Sequence, residues 1–483
     1  MASIKKEVTK GVFWIAIAKY SGIIIQLIIS AVLARLIAPA AFGTIALAMV
    51  VMHFFNMFTD VGIGPAVVQY KQLTKQHLDS LFTLNIYIGI ILSLVFYGSS
   101  DLVSSYYGDE TLGKICRIIS IAIFFNSLNV VPNALMRKAK RFRTIALRTL
   151  FFQVSSGCIA VWGAFHNWGI YALLVTPMIT AIGVFCVNYY NYPLRYILKM
   201  NMHAIRTIAS FSVFQFAFSF CNYFSRNMDK FVIGKFFSLT QLGYYDKSYH
   251  LMQLPLQNTT FVIEPVLHPI LSSLQNNKHE LCKKNCKLAI NISNISFPVG
   301  LILYFCGSEL IRIIYGEQWE AAILVFKILA LSLPLQMILS TSGALYQAAG
   351  ETKHMFYNGL LNSIVTVSGF ILAAYFGKSI EAVAWGWDVT LLLNFLTSYY
   401  IMHKFTFKDK AFLFYKSLMP QIINSAIVFI SCLAIFETIQ DLNIISCIII
   451  KSIFILFATI LCAIILRQYN LYTIIRYISR IGK

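Results

Sequence analysis

FSFCNYFSRNMDKFVIGKFF, residues 218–237, sets Arg226, Asp229 and Lys230 within five positions of an otherwise apolar and aromatic segment. A charge at the centre of a membrane helix costs about 2.5–3.5 kcal/mol on insertion scales. Charges in such a segment turn toward protein or water, so this stretch reads as a helix that lines something. Upstream residues agree: Gln215, Ser219, Asn222, Arg226 and Asp229 fall at i, i+4, i+7, i+11 and i+14, one helical face.

The rest of the chain sets the context. Its 483 residues are 58% hydrophobic and 12% charged, with a mean hydropathy of +0.71. Water-soluble domains hold about 45–50% apolar and about 25% charged residues, so a soluble protein of this composition is excluded. The expected fold is all-α, a polytopic membrane protein. About 20 apolar residues cross a bilayer, and fourteen such stretches are present: 11–37, 41–69, 79–99, 113–136, 145–165, 168–190, 207–236, 242–271, 286–306, 322–347, 355–377, 380–402, 413–435 and 443–466. The apolar run after Lys5, Lys6 and Lys10 is longer than a signal-peptide core. It reads as the first span, and no cleaved signal peptide is expected.

Loop charge tests the count. Alternate loops, read as cytoplasmic, hold 26 Lys and Arg, among them Arg137, Lys138, Lys140, Arg141 and Arg143. The opposite loops hold only Lys114, Lys235, Arg312 and Lys378, with nine acidic residues. This is the positive-inside pattern, with both termini cytoplasmic. The net charge of +20 is thereby a matter of topology, and no nucleic-acid partner is expected. The ten cysteines are scattered, mostly within apolar segments, and read as small packing residues. His279, Cys282 and Cys286 form the one cluster of metal-ligating types, in a predicted cytoplasmic loop; no metal and no cofactor are expected.

A repeat lies at an offset near 200. LARLIAPAAFG (33–43) and VIGKFFSLTQLG (232–243) bring Arg35 onto Lys235 and Gly43 onto Gly243, and Ile63-Gly64-Pro65 meets Ile263-Glu264-Pro265. Tyr107-Gly108-Asp109 resembles Tyr315-Gly316-Glu317 at 208. The chain therefore reads as a parallel pseudo-repeat: an N-terminal lobe at 1–200, a C-terminal lobe at 201–405, and a helical hairpin with a basic tail at 406–483. Repeats of this kind hold their binding site where they meet.

Polar stripes recur on the equivalent hairpins. Lys19, Gln26 and Ser30 align on the first span, and His53, Asn56 and Asp60 on the second. Asp246, His250, Gln253, Gln257, Glu264 and His268 align on the eighth. The four striped helices are expected to line one wet cleft, with Lys19, Asp60 and Glu264 toward the cytoplasm and Arg226, Asp229, Lys230, Asp246 and Lys247 toward the outside. Asp388 shares no face with Asn394, and Lys327 and Lys451 have no stripe around them.

The basic KKEVTKGVFW start, LARLIAPAAFG, FSRNMDKFVIGKFFSLTQLGYYDKSYHLMQLP and YGEQW together resemble the polysaccharide-transport branch of the multidrug/oligosaccharidyl-lipid/polysaccharide exporters, the Wzx-type flippases that include the colanic acid exporter. The resemblance covers nearly the whole chain. It implies fourteen helices in two lobes in the bacterial inner membrane. It also implies transfer of undecaprenyl-diphosphate-linked oligosaccharide units by alternating access, for lipopolysaccharide, capsule or exopolysaccharide. The lipid-linked oligosaccharide and the bilayer are the implied partners, with a polysaccharide polymerase and chain-length machinery as candidates. By position on the striped helices, Lys19, Gln26, Arg226, Lys230, Lys247, Gln253 and Gln257 are candidates for the diphosphate and sugars. Asp60, Asp229 and Glu264 are candidates for ion coupling. A cationic hydrated cleft lowers the barrier to a diphosphate, and Arg grips phosphate in two-pronged fashion. Two alternatives stand beside this reading. A drug/cation antiporter of the same superfamily would favour a net acidic cavity. A membrane polymerase or ligase would favour a long outer loop with catalytic groups, and the longest here are about a dozen residues; no enzyme is expected.

Overall fold

The computed structural model describes residues 2–60, 62–70, 72–198, 220, 223–272, 274, 275, 277–436 and 443–466, with the side chains of 2–18, 259–270 and 352 outside the description. Among the described residues every regular element is helical. The chain forms two compact units, Met1–Gly243 and Tyr244–Lys483.

The first unit holds α1 (Ala2–Leu36), α2 (Pro39–Asp60), α3 (Ile63–Gln69), α4 (Lys75–Tyr107), α5 (Glu110–Lys138), α6 (Phe142–Phe165), α7 (Tyr171–Asn191) and α8 (223–236), and ends in the first turns of α9 (Leu239–Ser272). Starts and stops follow local chemistry. Thr74 and His77 close a capping box at the head of α4, and Asp109 accepts the Thr111 N–H at 2.7 Å at the head of α5. α5 packs against α2, α4 and α7, and α6 against α1 and α7. Ile63, Val67, Leu81, Phe82, Leu128 and Val131 form a core where α3, α4 and α5 meet.

The second unit holds the remainder of α9, then α10 (Lys278–Phe305), α11 (Gly307–Ile314), α12 (Ala322–Leu339), α13 (Ser342–Ala348), α14 (Thr352–Gly377), α15 (Ile380–Ile401), a π-helical turn (Met402–Phe407), α16 (Ala411–Phe436) and α17 (Ile444–Ile465). Leu301, Phe305, Val428, Phe436 and Ile455 pack α10, α16 and α17 together. Lys451 has no polar stripe on its own helix because its partner comes from elsewhere. Its ammonium donates to Glu309 Oε1 at 2.5 Å and to the Phe305 carbonyl at 3.2 Å. The outward face of α17 is apolar, with Ile449, Ile453, Phe457 and Ile460 all exposed. Such a surface belongs in lipid.

Two predicted spans are broken helices. The stretch 41–69 divides into α2 and α3 because Gly62 is left-handed (φ 77°) and the Asp60 carboxylate accepts the Gly64 N–H at 2.7 Å, ending one helix and starting the next. The stretch 322–347 divides at Ser340 and Thr341. Eleven helices among the described residues are long and apolar enough to cross a membrane. α9 and α15 are not among them, because polar residues dilute their hydropathy, and most of 207–222 lies outside the described residues.

Two of the glycines matched in sequence meet in the first unit. A Cβ on Gly43 would lie 1.7 Å from the Leu239 carbonyl oxygen, and one on Gly243 would lie 2.2 Å from the Pro39 carbonyl oxygen. The two glycines matched in sequence thus pack backbone to backbone, the small-residue contact that brings membrane helices close. Gly108 and Gly316, matched at the second offset, both have positive φ, 72° and 96°. Gly43→Ala is expected to abolish the folded, monodisperse species on size-exclusion chromatography in detergent. Gly98 has open space around its Cβ position. Gly98→Ala is expected to raise stability by about 0.5–1 kcal/mol in thermal unfolding.

Candidate functional site

In the first unit α2, α3 and α5 line an open cavity of about 550 Å³. Asp60 stands at one wall, where its bond to Gly64 fixes the carboxylate. The opposite wall is a face of α5: Asn126, Asn129, Asn133 and Arg137, at i, i+3, i+7 and i+11.

Each amide of this stripe is held by a different neighbour. Asn126 Nδ2 donates to Asn56 Oδ1 of α2 at 3.3 Å. Asn129 Oδ1 accepts from Asn188 Nδ2 of α7 at 2.7 Å, and Asn133 Oδ1 accepts from Arg148 Nη2 of α6 at 2.9 Å. Arg148 is 8% exposed, and its Nε and Nη1 have no hydrogen-bond partner among the described residues. Buried guanidinium donors left unpaired are costly, so a buried cation with spare donors stands beside this cavity. Lys138 is differently engaged: its ammonium caps α3 by donating to the Val67 carbonyl at 2.9 Å and the Tyr70 carbonyl at 2.7 Å. The cavity and its supporting shell therefore carry Arg137 and Arg148 against Asp60, with amides between them. This set suits a hydroxyl-bearing anion better than a cation.

The sequence profile of a family described as "Polysaccharide biosynthesis protein" matches residues 32–324 and 320–413. The chain belongs to this family. Teichuronic acid biosynthesis protein TuaB of Bacillus subtilis is 24% identical over 88% of this chain and 88% of its own length. Lipopolysaccharide biosynthesis protein WzxC of Escherichia coli is 23% identical over 83% and 82%. The structure of lipid II flippase MurJ in an inward closed conformation superposes with a TM-score of 0.76 at 16% identity, covering 94% of this chain and 99% of that one. At that identity the likeness is one of fold: a multi-pass helical membrane bundle, in keeping with the apolar helices.

The residues singled out from the sequence of this family member fall as follows. In the first unit Asp60 lies in the cavity, Lys19 is half-buried and Gln26 is exposed. On α8 Arg226 is exposed, Asp229 is 2% exposed, and Lys230 is half-buried. Asp229 Oδ1 accepts the Lys230 N–H at 2.8 Å. This helix is fixed to α2: the Tyr223 hydroxyl donates to the Val50 carbonyl, and Phe54 packs on the rings of Tyr223 and Phe224. In the second unit the Lys247 ammonium lies over the buried Tyr315 ring, 5.7 Å from its centre. Gln253 Nε2 donates to Gln336 Oε1 of α12 at 3.0 Å, a packing contact, while Gln257 is exposed. The side chain of Glu264 lies outside the described residues.

The α5 amide stripe and Arg148 are absent from the candidates read from the sequence. The signal is the i, i+3, i+7, i+11 run Asn126–Arg137, whose amides fall inside the apolar span 113–136 while Arg137 reads as part of the basic loop that follows. Asn133→Leu leaves the Arg148 guanidinium without its acceptor and is expected to lower stability by about 1.5–3 kcal/mol in detergent unfolding. Adding Arg148→Met is expected to recover most of that loss. An unchanged melting temperature in the single variant would mean that Arg148 is satisfied elsewhere.

Proposed function

We propose that the protein moves undecaprenyl-diphosphate-linked oligosaccharide units from the cytoplasmic to the periplasmic leaflet of the bacterial inner membrane, by alternating access, for surface polysaccharide synthesis. The observation that carries this reading is the cavity of the first unit, lined by Arg137 and an asparagine stripe, with the buried Arg148 behind it on Asn133. Guanidinium groups grip phosphate oxygens in two-pronged geometry, and amides donate to and accept from sugar hydroxyls. Family membership supports the same reading. The loop charges support cytoplasmic termini, which puts Asp60 and Arg137 near the cytoplasmic face, where a lipid-linked substrate is made. The Arg137 guanidinium in the lining, backed by Arg148, disfavours a cationic drug as cargo.

In this reading Lys19, Arg226, Lys230 and Lys247 supply further cationic contacts along the route, and Gln26 and Gln257 polar ones. Asp60, Asp229 and Glu264 are the candidates for coupling to an ion gradient. The protein is a carrier and does no covalent chemistry, and it hands its cargo to polymerase and chain-length machinery.

The test is export of surface glycan in a flippase-deletion strain, with the leaflet distribution of the lipid-linked repeat unit as a second readout. Arg137 is exposed at the cavity mouth, so Arg137→Gln is expected to leave expression unchanged. It should slow export about tenfold or more, the loss of one charged hydrogen bond, with repeat units retained in the cytoplasmic leaflet. Asp60→Asn keeps an acceptor for Gly64 and removes the charge. It is expected to abolish dependence on the ion gradient while the fold persists. Full export by Arg137→Gln would remove the cavity from the route.

A further inference from the structure

The second unit assembles a cluster that the sequence alone could not close. Cys282 and Cys286 are four residues apart on the first turns of α10 and so share a face. The π-helical turn Met402–Phe407 presents His403 to them, and the ligand atoms of Cys282, Cys286 and His403 all lie within 4.8 Å of one another. Cys282 Sγ is 3.5 Å from His403 Nδ1 and 3.4 Å from Asp409 Oδ2. His279, the third member of the cluster seen in the sequence, instead faces Asp409, with Nδ1 3.7 Å from Oδ2.

We propose that Cys282, Cys286, His403 and Asp409 bind one zinc ion. Tetrahedral zinc with Zn–S near 2.3 Å and Zn–N or Zn–O near 2.0–2.1 Å has sulfur-to-nitrogen and sulfur-to-oxygen edges of about 3.5 Å. The two Cys282 distances match those edges; Cys282, Cys286 and His403 already stand together, and Asp409 swings in to close the set. Two thiolates, an imidazole and a carboxylate make a soft, closed donor set that suits zinc over magnesium or calcium. Loading releases the two thiol protons to solvent.

Two further observations fit. His403 is fully buried, and its Nε2 lies 3.2 Å from the amide nitrogen of Asn285, whose Oδ1 has no partner among the described residues. With Nδ1 on the metal, Nε2 carries the proton, and an Asn285 amide turned by half a rotation accepts it through that orphaned oxygen. Metal-bound histidines are held in this way. The turn itself is unusual. A single π turn is a rare feature concentrated at functional sites, and here it is followed by Lys408 at φ 57° and by Asp409, whose N–H donates to the His403 carbonyl at 2.9 Å. The backbone from 402 to 409 thus aims both of its ligands at α10. The ion would pin this turn to the start of α10. Nothing in the site depends on what the protein transports.

The full-length chain, purified in detergent without chelator, is expected to hold one zinc per chain by inductively coupled plasma mass spectrometry. With cobalt it is expected to show the thiolate-to-cobalt charge-transfer band of a tetrahedral site. Cys286→Ser should lose both signals, and Cys432→Ser, which alters a buried thiol outside the cluster, should keep both. Alkylation of the wild-type chain gives a reading independent of any variant: zinc should protect Cys286 from a maleimide, and chelation should expose it. Absence of zinc after incubation with excess zinc sulfate, unchanged metal content in Cys286→Ser, labelling that chelation does not alter, or a Cys282–Cys286 disulfide in the purified chain would each overturn the assignment.

Discussion

Hydrocarbon offers no hydrogen bonds, so each polar group these helices carry into the membrane must be met by another part of the protein. That constraint accounts for most of the specific contacts here. Lys451 is answered by Glu309 and a carbonyl, Gln253 by Gln336, Asn129 by Asn188, and Asn133 by Arg148. Each pair joins two helices that apolar packing alone would leave free to slide, because lipid tails are as apolar as the side chains they touch. The polar residues fix register, and the small residues fix distance. The places where pairing is incomplete then stand out, and Arg148, with two nitrogens unpartnered among the described residues, is one of them.

The architecture was legible because its signals are periodic and local. Hydropathy picks out the apolar runs that hold the eleven long apolar helices among the described residues, and Gly43 and Gly243, matched in sequence, turn out to pack backbone to backbone. What sequence could not supply was partnership at a distance. Asn133 meets an arginine fifteen positions on, across a turn between helices. Cys282 meets a histidine 121 positions on, in a turn whose π geometry no propensity predicts. Helix breaks inside apolar runs were hidden for a related reason. At Asp60 the break depends on a side-chain oxygen reaching forward to a backbone N–H, a contact that hydropathy averages over. Charge drew the reading toward Arg226 and Lys230, while the uncharged stripe on α5 that lines the cavity went unseen.

The two units use polar residues for different ends. In the first, asparagine amides, a carboxylate and the Arg137 guanidinium surround open volume, which is the arrangement for holding something that enters and leaves. In the second, two thiols and an imidazole converge with little space among them, which is the arrangement for holding something that stays. The distinction rests on volume as much as on chemistry: a site for a bulky passenger needs a void, and a structural ion needs its absence.

Lys138 carries a consequence for how the chain enters the membrane. It belongs to the basic run that the positive-inside pattern would use to orient this hairpin, yet in the folded protein its ammonium is spent on the carbonyls of Val67 and Tyr70. Charge is counted while the chain is being inserted, before α3 exists to claim it. One residue therefore serves biogenesis first and architecture afterward. Replacing it with a neutral residue would weaken orientation at the translocon and later leave the end of a short helix uncapped, two injuries separated in time and with different remedies. A distant arginine could repair the first and not the second.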